Sequence, residues 1–187
     1  IFDIQEGPRV FVERIDITGN VRTLDKVIRR EFRLVEGDAF NTARLRRSRE
    51  RLQNLGYFKE VEVDNVPSEV YPDRTVVTAS VEEQSTGELQ FGIGFSSASG
   101  ALFDVGIRER NLLGKGQDLR FNFSLAQQQT QIDLGFTEPY FMNRRLAAGA
   151  DLFATETDFE DEAGFISQSV GGSLRLGFNY NEYMFQR

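Results

Sequence analysis

The chain has 187 residues, a formal net charge of −7, no cysteine and no histidine. These absences exclude disulfides, thiolate nucleophiles, imidazole bases and nearly all zinc chemistry. The acidic balance argues against nucleic acid as a partner, and no apolar run approaches the roughly 20 residues that a membrane-spanning helix needs.

The chain opens on Ile1 rather than methionine and carries no signal-peptide pattern, so it reads as cut from a longer one. Residues 1–8 read as the end of a preceding domain and a linker: Phe2-Asp3-Ile4 alternates like a final strand, and Glu6-Gly7-Pro8 forms a turn. Residues 9–84 follow the order β-α-α-β-β. A strand over Arg9–Thr18 places Phe11, Ile15 and Ile17 on one face, and Gly19-Asn20 turns the chain. Thr23 is positioned to cap a helix carrying Leu24, Val27, Ile28 and Phe32, which Gly37-Asp38 breaks. Asn41 is positioned to cap a second helix carrying Leu45, Leu52 and Leu55, which Gly56 stops. A strand with Val61 and Val63 follows, then a proline-bearing loop over Pro67–Asp73. The third strand, Thr75–Glu83, sets Val77, Ala79 and Val81 on one face. The expectation is a small α+β domain with helices on one face of a sheet.

Composition changes near Gln84–Gly87. Of the 17 glycines, only Gly7, Gly19, Gly37 and Gly56 lie before this point. From there residues 85–187 alternate apolar and polar with period two. Leu89, Phe91, Ile93 and Phe95 alternate with Gln90, Gly92, Gly94 and Ser96. Leu119, Phe121, Phe123 and Leu125 follow the same rule, as do Ile132, Leu134 and Phe136, and Leu174, Leu176, Phe178 and Tyr180. A strand sends successive side chains to opposite faces, so each segment has an oily and a wet side. Strands are expected near 88–97, 101–112, 117–127, 131–138, 145–156 and 166–181. Repeats of this length with turns between fit the wall of an outer-membrane β-barrel. They also fit a soluble antiparallel sheet, in which the same faces would be buried.

Other motifs yield little chemistry. Arg44, Arg46, Arg47, Arg49 and Arg51 form a basic cluster on the second helix. A solvated helix face accounts for it best, a partner surface next, and nucleic acid least. Asn111–Gly116 lacks the pattern of a phosphate loop. The acidic run Asp158, Glu160, Asp161 and Glu162 lacks the spacing and glycine of a calcium loop. No nucleophile–base pair or metal cluster can be assembled, so neither an enzyme nor a cofactor is expected.

The motifs taken in order resemble a known architecture. Ile15-Asp16-Ile17-Thr18-Gly19-Asn20 and Leu52-Gln53-Asn54-Leu55-Gly56-Tyr57-Phe58 are similar to the corresponding phrases of a POTRA domain. The run from Thr86 to Phe95 resembles the first barrel strand of the BamA family of outer-membrane assembly factors. Asn111–Gly116 resembles its first periplasmic hairpin, and Thr137-Glu138-Pro139-Tyr140-Phe141 its next turn. The resemblance spans essentially the whole chain, as the last POTRA domain plus about six barrel strands. A bacterial barrel needs roughly eight strands or more to close, so this wall is incomplete and should not act alone.

The resemblance implies an insertase of the β-barrel assembly machinery, in the outer membrane with its POTRA domain in the periplasm. Its partners would be unfolded outer-membrane proteins, outer-membrane lipid, and BamD with the other lipoproteins of the machine. It implies that the first barrel strand, Leu89, Gln90, Phe91, Gly92, Ile93, Gly94 and Phe95, is a lateral gate that opens and pairs with client strands. Glycine lowers strand order there, or else merely relieves crowding in the wall. The stretch Arg29–Gly37 resembles the region that meets BamD, with Arg33 and Glu36 at the end of the first helix as contact residues. Tyr140 and Phe141 look like a membrane-interface girdle. Most other phenylalanines would form the plain lipid-facing band. The strand Val61–Val66 is a candidate edge for passing peptides. The alternatives are a TamA-like insertase, a two-partner-secretion translocator of the same architecture, or a soluble β-rich binding module.

Overall fold

The computed structural model describes residues 9–96, 100–159, 164–179 and 185–186. Residues 1–8, read above as the end of a preceding domain, lie outside that range. So do Tyr180 and three members of the acidic run, Glu160, Asp161 and Glu162. The chain divides into two compact units, Ile1–Ser85 and Thr86–Arg187.

The first unit holds β1 (Phe11–Thr18), α1 (Asp25–Arg29), α2 (Thr42–Asn54), β2 (Phe58–Pro67) and β3 (Arg74–Glu83). The sheet order is β1-β3-β2, with β1 parallel to β3 and β2 antiparallel to it. A parallel pair needs a long crossover, and the two helices supply it. Val27 and Ile28 of α1 and Leu45 and Leu52 of α2 bury against Ile15, Val61, Val77, Ala79 and Val81. Each such side chain withdrawn from water contributes roughly 1.5–3 kcal/mol.

Several local expectations hold. Asn41 Oδ1 accepts the Arg44 N–H at 3.1 Å and caps α2. Gly56 follows the helix at φ +69°, a backbone state that favours glycine. Others are corrected. The inward face of β1 starts at Val12, not Phe11, because a register shift between Val12 and Arg14 moves the alternation by one. The first helix is shorter than its periodicity implies and ends at Arg29, well before Gly37-Asp38. Its N-cap is Leu24, with no side-chain cap. Thr23 instead gives its backbone N–H to Glu83 Oε1 at 2.7 Å, so a tertiary carboxylate replaces the local cap.

The second unit is an antiparallel meander in which every strand pairs with its sequence neighbour. The strands are β4 (Gly87–Ser96), β5 (Gly100–Leu112), β6 (Gln117–Ala126), β7 (Gln129–Glu138), β8 (Leu146–Phe159), β9 (Phe165–Asn179) and the two-residue β10 (Phe185–Gln186). Among the described residues, six long strands and one short one make an open wall.

Candidate functional site

Cross-strand register turns the period-two pattern into two chemically distinct faces. One row runs Phe91, Val105, Phe123, Ile132, Ala154 and Val170. The next runs Leu89, Ile107, Phe121, Leu134, Leu152 and Gly172. Such an unbroken apolar band suits hydrocarbon. Nothing in the second unit's described residues forms a second layer over it.

The opposite face carries a charge ladder. Arg108 donates to Asp118 Oδ2 from Nε and Nη2 at 2.9 and 2.8 Å. Arg120 lies between Asp118 and Asp151, 3.5 Å from each. Arg175 Nη2 donates to Asp151 Oδ1 at 2.8 Å and to Thr137 Oγ1 at 3.2 Å. At one end Arg110 pairs with Glu88 at 3.0 Å. Glycines make room for these arms. A Cβ on Gly135 would come within 2.9 Å of Asp151 Oδ1 and 3.2 Å of Arg120 Nη2. One on Gly149 would come within 3.1 Å of Arg175 Nη2. The ladder was missed in the sequence, although charged residues at the wet phase of consecutive strands were its visible trace.

β4 forms one margin of this sheet. It pairs with β5 from Gly87↔Glu109 to Ser96↔Gly100, and among the described residues nothing pairs with its other side. Leu89, Phe91, Ile93 and Phe95 are 60, 67, 88 and 83 % exposed, while Gln90, Gly92 and Gly94 occupy the other phase. Gly92 and Gly94 are not packing glycines. A Cβ at either would meet its nearest neighbour no closer than 3.4 Å, an ordinary contact.

The turn after β7 holds the other aromatic residues singled out. Tyr140 is half-buried and Phe141 exposed, and both lie just past the strand end at Glu138. Tyr140 N–H donates to Glu138 Oε1 at 3.0 Å. Met142 and Asn143 adopt left-handed backbone at φ 54° and 57°. The strands alternate in direction, so this turn shares an end of the sheet with the Asn111–Gly116 hairpin and with the start of β4. That hairpin is closed by Gly116 N–H, which donates to Asn111 Oδ1 at 2.7 Å.

In the first unit, Arg33 and Glu36 do not end a helix; they lie in the irregular segment after α1. Arg33 N–H donates to Ser48 Oγ at 2.8 Å. Glu36 pairs with Arg29 Nη1 at 3.2 Å and also accepts the Ile15 N–H. Arg29 holds its proton more firmly than usual, chiefly through its bond to Asp25; burial opposes this and Glu36 adds to it. Sequence reasoning did not foresee Arg29 as the partner of Glu36. The basic helix is partly neutralised: Arg47 and Arg46 face Glu50, Arg44 faces Asp38, and Arg51 reaches the buried Glu31. β2 is a sheet margin too, pairing only with β3 among the described residues.

Two family models match the chain. The POTRA model, described as a surface antigen variable number repeat, covers residues 10–84, and the Omp85 superfamily domain covers 111–185. The chain is 33 % identical over 98 % of its length to the outer membrane protein assembly factor BamA of Neisseria meningitidis serogroup B, of which it covers 24 %. It is 32 % identical over 96 % of its length to BamA of Nitratidesulfovibrio vulgaris, covering 22 %. The chain thus spans about a quarter of the length of these relatives. Among solved structures, BamA of Haemophilus ducreyi lacking POTRA domains 1-3 superimposes with a TM-score of 0.81 at 31 % identity, over 94 % of this chain and 34 % of that one. CdiB of Acinetobacter baumannii shares the fold, with a TM-score of 0.60 at 14 % identity over 90 % of this chain and 33 % of that one. The chain joins a POTRA domain to part of an Omp85 superfamily domain, the arrangement of a periplasmic POTRA domain followed by the opening strands of an outer-membrane barrel, and over nearly its whole length it is similar to BamA.

Proposed function

We propose that the protein assembles other outer-membrane proteins, without covalent catalysis, by offering β4 as a template for incoming strands. The observation that carries this reading is the pair of glycines in the first strand of the wall, Gly92 and Gly94, which no packing contact requires. Unpaired N–H and C=O groups on an edge strand pair readily with another chain, and inside a bilayer they are costly until they do. Each glycine could accept a side chain without collision, so what glycine contributes there is a weakly ordered strand. Residues Leu89 to Phe95 then act as a lateral gate whose backbone is sequence-tolerant, as a carrier for many clients requires.

The POTRA unit is the periplasmic receiving end of the same device. Residues 9–84 form that domain and residues 85–187 the wall. The outer margin of β2 over Val61–Val66 offers extended peptides a second edge. Arg33 and Glu36 lie on the surface that would dock BamD. Glu36 is about half exposed and already paired to Arg29, so a lipoprotein would share or replace that pair. Tyr140 and Phe141 sit at the periplasmic boundary of the lipid as an interfacial girdle.

This chain has no cysteine, so one introduced into β4 is unique within it. In the full-length protein, Q90C or I93C is paired with a client carrying one cysteine in its last strand, and assembly is stalled. A disulfide at one client register supports templating by β4. Assembly that proceeds at the normal rate with no such link, at either position, refutes it. Separately, E36K should weaken co-purification of BamD, and an undiminished complex removes Glu36 from the interface.

A further inference from the structure

A groove of about 490 Å³ opens on the apolar face where β7 turns into β8. Its floor is Phe136, Ala148 and Ala150, and the turn residues Phe141 and Met142 wall it. The depression exists because small residues face large ones: Ala150 lies opposite Phe136, and Ala148 opposite Glu138.

Three observations mark this groove as more than a dent in a lipid-facing wall. Met142 is 76 % exposed and held at φ 54°, where a non-glycine residue is strained. The backbone is held there with a soft, adaptable side chain standing at the groove. Next, Arg144 and Arg145 are both exposed and lead from the turn into β8, and Arg144 has extended backbone. Among the described residues neither makes an ion pair. Last, both oxygens of Glu138, the acid among the described lining residues, are engaged within the chain. Glu138 Oε2 accepts from Gln117 Nε2 at 2.7 Å, and Oε1 from the Tyr140 N–H. Arg144 and Arg145 follow directly on Asn143, which lines the groove, so their long side chains are within reach of its rim; an apolar slot so flanked is complementary to a molecule with a hydrocarbon tail and a phosphate. Adjacent arginines favour phosphate through paired, charge-assisted hydrogen bonds.

We infer that this groove binds an anionic glycerophospholipid of the periplasm-facing leaflet, with one acyl chain along Ala148 and Ala150 and its phosphate at Arg144 and Arg145. The inference rests on the interfacial reading of the Tyr140–Phe141 turn and adds a ligand to it. Such a lipid would fasten the wall at the bilayer boundary near the hairpins beside the gate strand.

The test uses the full-length protein in nanodiscs of phosphatidylethanolamine with phosphatidylglycerol, followed by counting of retained lipids by native mass spectrometry. Wild type should retain phosphatidylglycerol preferentially, by about fivefold for each arginine at the surface. The R144Q/R145Q variant should lose that preference while keeping its fold, and A148F should lower retention of both lipids by filling the slot. Unchanged preference in R144Q/R145Q overturns the inference, as does unchanged retention in a folded A148F. The interfacial reading fails separately. If it is wrong, Y140S/F141S sits at the wild-type depth in the bilayer, whatever the arginine variants do.

Discussion

Gly19 is the residue on which the POTRA fold is least tolerant. It sits at φ +86°, and a Cβ built on it would lie 2.0 Å from the Val81 carbonyl oxygen. That oxygen belongs to the central strand and has nowhere to move. G19A should therefore cost roughly 2–4 kcal/mol, visible as a lowered midpoint in chemical unfolding of the POTRA domain. Glu83 is the other sensitive residue. Burial opposes its ionisation, but the N–H groups of Thr23 and Arg22 outweigh burial and hold its carboxyl below the ordinary glutamate range. A carboxylate with a depressed folded pKa contributes stability above its unfolded value and loses it as pH falls through the folded value. E83Q should thus destabilise the domain by about 1 kcal/mol at neutral pH, allowing for screening by solvent. It should also flatten the loss of stability on acidification below about pH 4.5, measured by urea unfolding across pH. A variant as acid-sensitive as the wild type would show that this carboxylate does not set the slope.

Among elements, β4 and the charge ladder make opposite demands. The strand is built loosely. G92A/G94A adds two side chains with room to sit, and should stiffen the edge by about 0.5–1 kcal/mol per site. The expected outcome is a barrel that unfolds at a higher temperature and inserts clients more slowly. Faster insertion would show that strand order is not what glycine controls there. The ladder is built tightly. Asp151 lies between Arg120 of β6 and Arg175 of β9, so D151N leaves two guanidinium groups converging on a neutral amide. All three side chains are partly solvated, which limits the cost to about 1 kcal/mol. It should appear as a lower temperature of the heat-induced gel shift of the barrel, recovered in part by R120Q.

At the scale of the molecule, two ways of satisfying a polypeptide stand side by side. The POTRA unit buries a shared core between helices and sheet. Among its described residues the wall has no such core and relies on hydrogen-bonded strands with one face for hydrocarbon and one for water. The two stabilities should separate. L52A empties a fully buried position in α2 and should cost the POTRA unit roughly 2–5 kcal/mol. In the full-length protein the wall's own transition should stay where it was. A single transition that moves as a whole would show that the units unfold together.

Much of this was legible in the chain alone. Side-chain alternation is a local steric consequence of extended backbone, so the strands, their two faces and the composition break near residue 84 could be read directly. Caps and stops at Asn41, Gly19 and Gly56 are equally local. What could not be read depended on partners distant in sequence. The inward face of β1 moved to Val12 through a register shift against β3, and α1 lost its threonine cap to a carboxylate 60 residues away. Glu36 found Arg29 across a turn, and Arg120 met Asp151 only when β6, β7 and β8 came into register. Backbone geometry repeats every two residues wherever a strand forms, so the sequence determined the two faces by itself. Which charges meet is set by pairing between strands, and only the tertiary structure decided that.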